Sequence, residues 1–277
     1  MTSEATAVPA PEHARSWLLV PAGAPHLYTT AAESPADAVV LDLEDAVGPS
    51  AKPAARESVT NWLRSGGRAW VRINDTATTF WADDLAALAG IPDLEGIVLA
   101  KTEDGSQIDA TAQRLPAGTR ILALVESAVG IEAANEIARS EATFRLAFGS
   151  GDFRRDTGMG DDPMAMAYAR TRLTVTSRAA GLPGPIDGPS LTSDGEILTR
   201  DSRLTATMGM TGKLCMQAAQ AEFVNRELAP RDDEILWARN VIDELGADGS
   251  RVRDGSDLPR LARPKKISTL AAVYAGV

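Results

Sequence analysis

The feature that most constrains this chain is a repeat. A short β-branched or Leu-rich run ends abruptly in a polar residue and is followed by a stretch of helical character. The runs are 16–20, 38–42, 69–74, 96–101, 121–126 and 145–149, with two weaker ones at 184–187 and 212–217. Most are continuously apolar, the mark of strands buried on both faces, as in a parallel sheet. Stretches such as 51–65, 83–88, 131–140 and 164–180 are long enough for a helix between them. The polar ends Asp42, Arg72, Lys101, Glu126, Asp152, Asp187 and Gln217 recur roughly every 29 residues, the length of a βα unit. Eight such units predict an α/β (β/α)8 TIM barrel, whose strands all open their C-terminal ends onto one face. An open doubly wound sheet is the competing arrangement, because the last two runs are poorly marked. The length of 277 residues suits one barrel with an extension.

Composition removes several chemistries. Cys215 is the single cysteine, so a disulfide scaffold and a Cys-rich zinc module are excluded. The two histidines, His13 and His26, both precede the repeat's second unit, so no interior His general base is available. A net charge of −10 argues against non-specific nucleic-acid binding. The first residues carry acids and prolines where a secretory signal would be apolar, and no run approaches a membrane span. The expected setting is the cytoplasm, with no membrane and no nucleic-acid partner.

Three regions follow: a flexible leader over 1–14, the barrel over 15–230, and a C-terminal helix with a lid or oligomerisation tail over 231–277. Pro230, Asp232 and Asp233 mark the start of a helix over 232–245, and Gly246 its end. The tail beyond it gathers Arg251, Arg253, Arg260, Arg263, Lys265 and Lys266 against Asp254 and Asp257. This local positive patch reads as a lid, an oligomer arm, an anion clamp or a solvated tail.

In a barrel, functional groups come from the ends of several strands. The second run ends in Asp42, Glu44 and Asp45, the third carries Arg72, the fourth Lys101, the fifth Glu126, and the sixth leads into Asp152. Carboxylates at neighbouring strand tips, Glu126 and Asp152, form a hard-oxygen site suited to Mg²⁺, which leaves its other positions to water and substrate. A lone Asp at a βα junction is ordinarily a helix cap. Asp42, Glu44, Glu126 and Asp152 converging on one rim, with Arg72 as counter-charge, are harder to read that way. Two glycines in 149–151 let backbone approach a ligand closely beside Asp152. Ser150 has no His to activate it, which disfavours a Ser-His-Asp hydrolase. Lys101, flanked by carboxylates, reads as a structural ion pair rather than a Schiff-base lysine.

Several ordered motifs carry a family resemblance. Arg15-Ser-Trp-Leu-Leu-Val-Pro21, Ala38-Val-Val-Leu-Asp-Leu-Glu-Asp-Ala-Val47, the stretch 52–56, Val71-Arg-Ile-Asn74 and Leu124-Val-Glu-Ser-Ala-Val-Gly130 come first. Phe148-Gly-Ser-Gly-Asp152, Tyr168-Ala-Arg170, Ala180-Gly-Leu-Pro-Gly-Pro-Ile-Asp187, Gly212-Lys-Leu-Cys215 and Trp237-Ala-Arg239 complete the set. The chain resembles the citrate lyase β-subunit-like proteins of the HpcH/HpaI aldolase superfamily from about 15 to 259. The resemblance implies a Mg²⁺-dependent carbon–carbon lyase on a (β/α)8 barrel, assembled as a homotrimer or hexamer. Its substrates would be citryl-, malyl- or citramalyl-CoA, cleaved into an acyl-CoA and a 2-oxo acid or formed from them. It implies Glu126 and Asp152 as metal ligands and Arg72 as the substrate arginine. Asp257, in a lid-like segment spaced one residue short of the family pattern, is implied as an acid supplied by a neighbouring subunit. The expected catalytic groups are therefore Arg72, Glu44 and Asp257, with substrate contacts from Arg72, Asp42, Glu126 and Gly151.

Two departures from the pattern bear on the substrate. The segment 22–28 after the first run has no Lys or Arg, and relatives often have His where Gln217 stands. Beside the CoA-ester lyase stand three other readings: an aldolase on free hydroxy-oxo acids, a malyl-CoA-type thioesterase, and a metal- or ligand-binding subunit without turnover.

Overall fold

Eight parallel strands close on themselves in sequence order: β1 Ser16–Pro21, β2 Ala38–Asp42, β3 Ala69–Ile73, β4 Leu94–Leu99, β5 Ile121–Val125, β6 Thr143–Phe148, β7 Ile186–Asp187 and β8 Gly212–Cys215. The structure is a computed structural model that describes residues 8–251, 254–255 and 257–275. Residues 1–7 of the expected leader, Arg253 of the basic tail and Ser256 of the lid-like segment lie outside the described residues. The barrel expectation holds, including the two weak runs. The seventh strand is two residues long because Gly184 and Pro185 precede it and Gly188 and Pro189 follow it. It still pairs with both neighbours, through Ala147 with Ile186 and through Ile186 with Gly212.

The outer layer is α1 Tyr28–Ala32, α2 Lys52–Arg64, α3 Thr79–Leu88, α4 Gly105–Ala112, α5 Ala128–Arg139, α6 Ser150–Thr157, α7 Ala167–Ala179, α8 Gly195–Thr207 and α9 Gln220–Leu228. Successive strand side chains point to opposite faces, so each strand divides its residues between two cores. Trp17, Val40, Trp70, Val98, Leu122, Leu124, Ala147, Ile186 and Leu214 fill the barrel interior. Leu41, Val71, Ile73, Ile97, Leu99, Ala123, Val125, Leu146, Phe148 and Cys215 face the helices.

The bottom of the barrel is closed by Arg145, fully buried and lying over the Trp17 ring at 5.6 Å. Its guanidinium donates to the carbonyls of Gly184, Ala14 and Pro11 and to Thr211 Oγ1. Burial pulls its pKa down to about 9, so it stays charged at neutral pH. The described part of the expected leader takes part in this closure. The Pro11 and Ala14 carbonyls help to solvate this buried cation, which has no ion pair with a carboxylate among the described residues.

The C-terminal extension is helical, as expected, and carries two helices. It is a helical hairpin, α10 Asp232–Leu245 and α11 Asp257–Tyr274, closed by Val241, Leu245 and Leu261. Arg260 pairs with Glu244 and Asp257, and Arg263 with Glu234, so these two cations of the basic patch are engaged inside the hairpin. No helix among the described residues is long and apolar enough to cross a membrane.

Candidate active site

The inward-facing positions of the strands lead directly to the site. Continuing the alternation past Val40, Trp70, Leu124 and Ala147 gives Asp42, Arg72, Glu126 and Gly149, stacked on the apolar interior at the C-terminal rim. Register sets Asp42 beside Arg72 across β2 and β3. The Arg72 Nε and Nη2 donate to the two Asp42 oxygens at 2.7 and 2.5 Å, a bidentate clamp, and Nη1 faces Glu44 Oε2 at 3.3 Å. Donors are left over on both terminal nitrogens, since a guanidinium carries five N–H groups.

Asp42 also accepts from the amides of Glu44 and Ala46, and Glu44 Oε2 from that of Asp45. The turn carrying Glu44 is fixed from below by buried Lys52, whose ammonium donates to the carbonyls of Leu43 and Glu44. The Asn74 amide adds a bond to the Leu43 carbonyl. Lys52 and Asn74 sit in the quoted motifs, but burial of their side chains had no signal in the sequence.

Glu126 is 3% exposed, and its Oε1 accepts the backbone N–H of Lys101 at 2.8 Å. Burial lifts its pKa to about 8; Arg72 and the Lys101 amide oppose the rise, while Asp152 and Glu44 add to it. A Cβ on Gly149 would collide with the Glu126 carboxylate, so this position admits only glycine while Glu126 keeps its pose. Gly151, expected to contact substrate, has open space where its Cβ would be. Strand parity, applied to the sequence, separates the two glycines.

Asp152 lies in the first turn of α6 rather than at a strand tip. Its Oδ1 is buried and has no hydrogen-bond donor; exposed Arg155, one turn on, comes within 2.5 Å without hydrogen-bond geometry. Lys101 completes the rim. Its ammonium pairs with Glu44 Oε1 and faces Asp45 Oδ1 at 3.5 Å, and these neighbours hold it charged despite partial burial.

Thus Asp42, Glu44, Arg72, Lys101, Glu126 and Asp152 come together, while Asp257 pairs with Arg260 on its own helix. Both Glu44 oxygens are engaged by cations, which makes it a support for Arg72 and Lys101 more than a free base.

The donor set fits a divalent cation. The carboxyl groups of Asp42, Glu44, Asp45, Glu126 and Asp152 outnumber the cations beside them, Arg72, Lys101 and Arg155. Asp152 Oδ1 supplies a buried oxygen without a hydrogen bond, ion-paired with the exposed Arg155. Among the described residues no group of three or more Asp, Glu, His or Cys is placed to hold a metal alone. A two-carboxylate site is the kind that suits Mg²⁺, with water and substrate oxygens completing the octahedron.

Residues 15–218 match the HpcH/HpaI aldolase/citrate lyase family, and 233–275 its C-terminal domain. The chain belongs to this family of aldolases and lyases. It is 32% identical to a citrate lyase subunit beta-like protein of Mycobacterium tuberculosis over 82% of this chain and 83% of that one. It is 30% identical to the L-malyl-CoA/beta-methylmalyl-CoA lyase of Cereibacter sphaeroides over 86% of each chain. The crystal structure of CitE from Mycobacterium tuberculosis with magnesium, acetoacetate and coenzyme A superposes with a TM-score of 0.79 at 29% identity, covering 94% of this chain and 99% of that one. Within the family frame the strand-eight departure is stabilised locally. Gln220 accepts from the amides of Met216 and Gln217 and donates to the carbonyls of Ser190 and Thr192, tying β8 to the loop after β7.

Proposed function

We propose that this protein is a Mg²⁺-dependent lyase that cleaves a 3-hydroxyacyl-CoA of the citryl-, malyl- or citramalyl-CoA type into an acyl-CoA and a 2-oxo acid, or joins them. The observation that carries the reading is the pairing of Glu126 with Asp152, whose buried Oδ1 makes no hydrogen bond and meets only exposed Arg155 among the described contacts, near the clamped guanidinium of Arg72. Glu126 and Asp152 would hold the cation, which when bound polarises the oxygens of the 2-oxo acid. Relatives at 30% identity or more act on CoA esters of this kind, and one solved neighbour binds coenzyme A.

Cleavage removes the proton of the substrate's 3-hydroxyl and turns that carbon into the ketone of the 2-oxo acid. The bond to the acyl carbon breaks, its electron pair passes to a thioester enolate, and the enolate takes up a proton. Arg72 aims its spare N–H groups at the oxygen on which charge develops, and Asp42 fixes the guanidinium in place before substrate arrives. Asp42 and Glu44 therefore act through Arg72. Gly149 keeps Glu126 in place, and Gly151 leaves room for ligand beside Asp152. For Asp257 to exchange the proton at the acyl carbon, the N-terminal end of α11 must be carried to a rim, its own or a neighbour's.

The chain works, on this reading, as a cytoplasmic homotrimer or hexamer, with exposed Leu236 and Trp237 of the 231–277 arm against a second copy. The test is product analysis with Mg²⁺ and a panel of citryl-, malyl- and citramalyl-CoA. A 2-oxo acid with an equivalent of acyl-CoA is expected from at least one thioester, and Glu126→Ala should abolish it. Release of free CoA without acyl-CoA would mean hydrolysis, and no product from any thioester would overturn the assignment.

A further inference from the structure

We propose that Lys101 is a positioning residue that joins the two halves of the site, its backbone amide seating Glu126 and its ammonium setting the Glu44 carboxylate against Arg72. The inference rests on the lyase reading for its kinetic arm only. Lys101 is the one non-glycine residue with positive φ among the described residues, at +49°. An L-residue in this region is strained, and such strain persists only where the surroundings over-determine it. Here two contacts demand it. The N–H of Lys101 points at Glu126 Oε1 at 2.8 Å, while its side chain runs to Glu44 Oε1, on the far side of Arg72.

Glu44 is the hinge of this arrangement. One oxygen pairs with Lys101 and the other faces Arg72 Nη1 at 3.3 Å. Arg72 is in turn held bidentately by Asp42. A chain of alternating charge thus runs Asp42, Arg72, Glu44, Lys101, and the amide of Lys101 closes it onto Glu126. If the ammonium is removed, one arm of Glu44 is released and the guanidinium loses its second fixed partner. The same removal takes one positive charge from a site in which carboxyl groups already outnumber cations. The two effects have opposite signs: Arg72 is less well placed, while a divalent cation is held more tightly.

Lys101→Met keeps the backbone amide and most of the side-chain length and removes only the charge. Binding of Mn²⁺, followed by electron paramagnetic resonance on the full-length protein, should tighten by about 3-fold or more as a cationic neighbour is lost. The kcat should fall on the order of 10²-fold, as expected for a displaced catalytic group, with KM for the thioester within about 3-fold. Lys101→Arg should restore wild-type Mn²⁺ affinity and much of kcat.

Weaker Mn²⁺ binding in Lys101→Met would overturn the proposal, because a merely structural lysine would loosen the site. So would a kcat within about 3-fold of wild type. If wild type itself cleaves no thioester, the lyase reading fails separately, and the sign of the Mn²⁺ shift still decides the role of Lys101.

Discussion

Gly149 shows how much one hydrogen atom in place of a side chain can decide. Its Cα packs against the Glu126 carboxylate, and any Cβ would displace the residue assigned to the metal. Gly149→Ala is therefore expected to weaken divalent-cation binding by about 10-fold or more, while the melting temperature falls by only a few degrees. Gly151→Ala, with open space around it, should bind the cation as wild type does. Calorimetric titration of both variants with Mg²⁺ checks the pair, and equal behaviour would contradict the geometry. Residue types at this scale were legible in advance: Asp42, Glu44, Arg72, Glu126 and Asp152 stand out as charges ending apolar runs. Their roles were less so, because a charge at a strand end says nothing of its partners. Glu44 is the clearest case, since only the fold shows both oxygens already taken by Arg72 and Lys101.

The weakest element is β7, and side chains rather than length secure it. Asp187 is buried and accepts from Arg170 Nε at 2.9 Å, Thr205 Oγ1 at 2.7 Å and the Gly188 amide, with Lys213 Nζ 3.7 Å away. Burial would raise its pKa, but Lys213, Arg170 and Thr205 together hold it below the ordinary Asp range. A folded pKa below the unfolded value of about 3.9 adds stability that is complete above that value and lost as pH falls through the folded pKa. Thermal melts of wild type should therefore lose stability on acidification below about pH 4. Asp187→Asn should cost about 3–5 kcal/mol near neutral pH, by leaving buried cations unpaired, and should flatten that acid loss. An unchanged acid slope would show that the charge cluster does not hold the strand. Run length and β-branching mark most of the strands clearly and this one only weakly, because a two-residue strand has almost no periodicity to detect.

At the scale of the molecule, α11 meets the segment before β1 through Tyr274 and His13. The Tyr274 hydroxyl donates to the carbonyl of His13 at 2.9 Å, and its ring lies 4.0 Å from the Arg15 guanidinium. Arg15 itself is clamped by Asp37. The described hairpin is otherwise held chiefly by its own packing and ion pairs. Tyr274→Ala should free the hairpin, so that limited proteolysis removes it at least several-fold faster while the barrel's melting temperature changes little. Loss of both together would mean that hairpin and barrel are one cooperative unit. The (β/α)8 architecture was already written in the chain, because burial of strands on both faces forces continuous apolar runs at a spacing one helix long. The acids and the arginine of the rim were visible for the same reason: they are where those runs stop. Partnership was decided only by the folded molecule. Which oxygen of Glu44 meets which cation, why Gly149 and not Gly151 bears on Glu126, and that the Pro11 and Ala14 carbonyls solvate Arg145 all depend on the folded arrangement of the strands. That arrangement brings together side chains far apart along the chain, and hydrogen bonds and charge pairs act over a few ångströms of space whatever the separation in sequence.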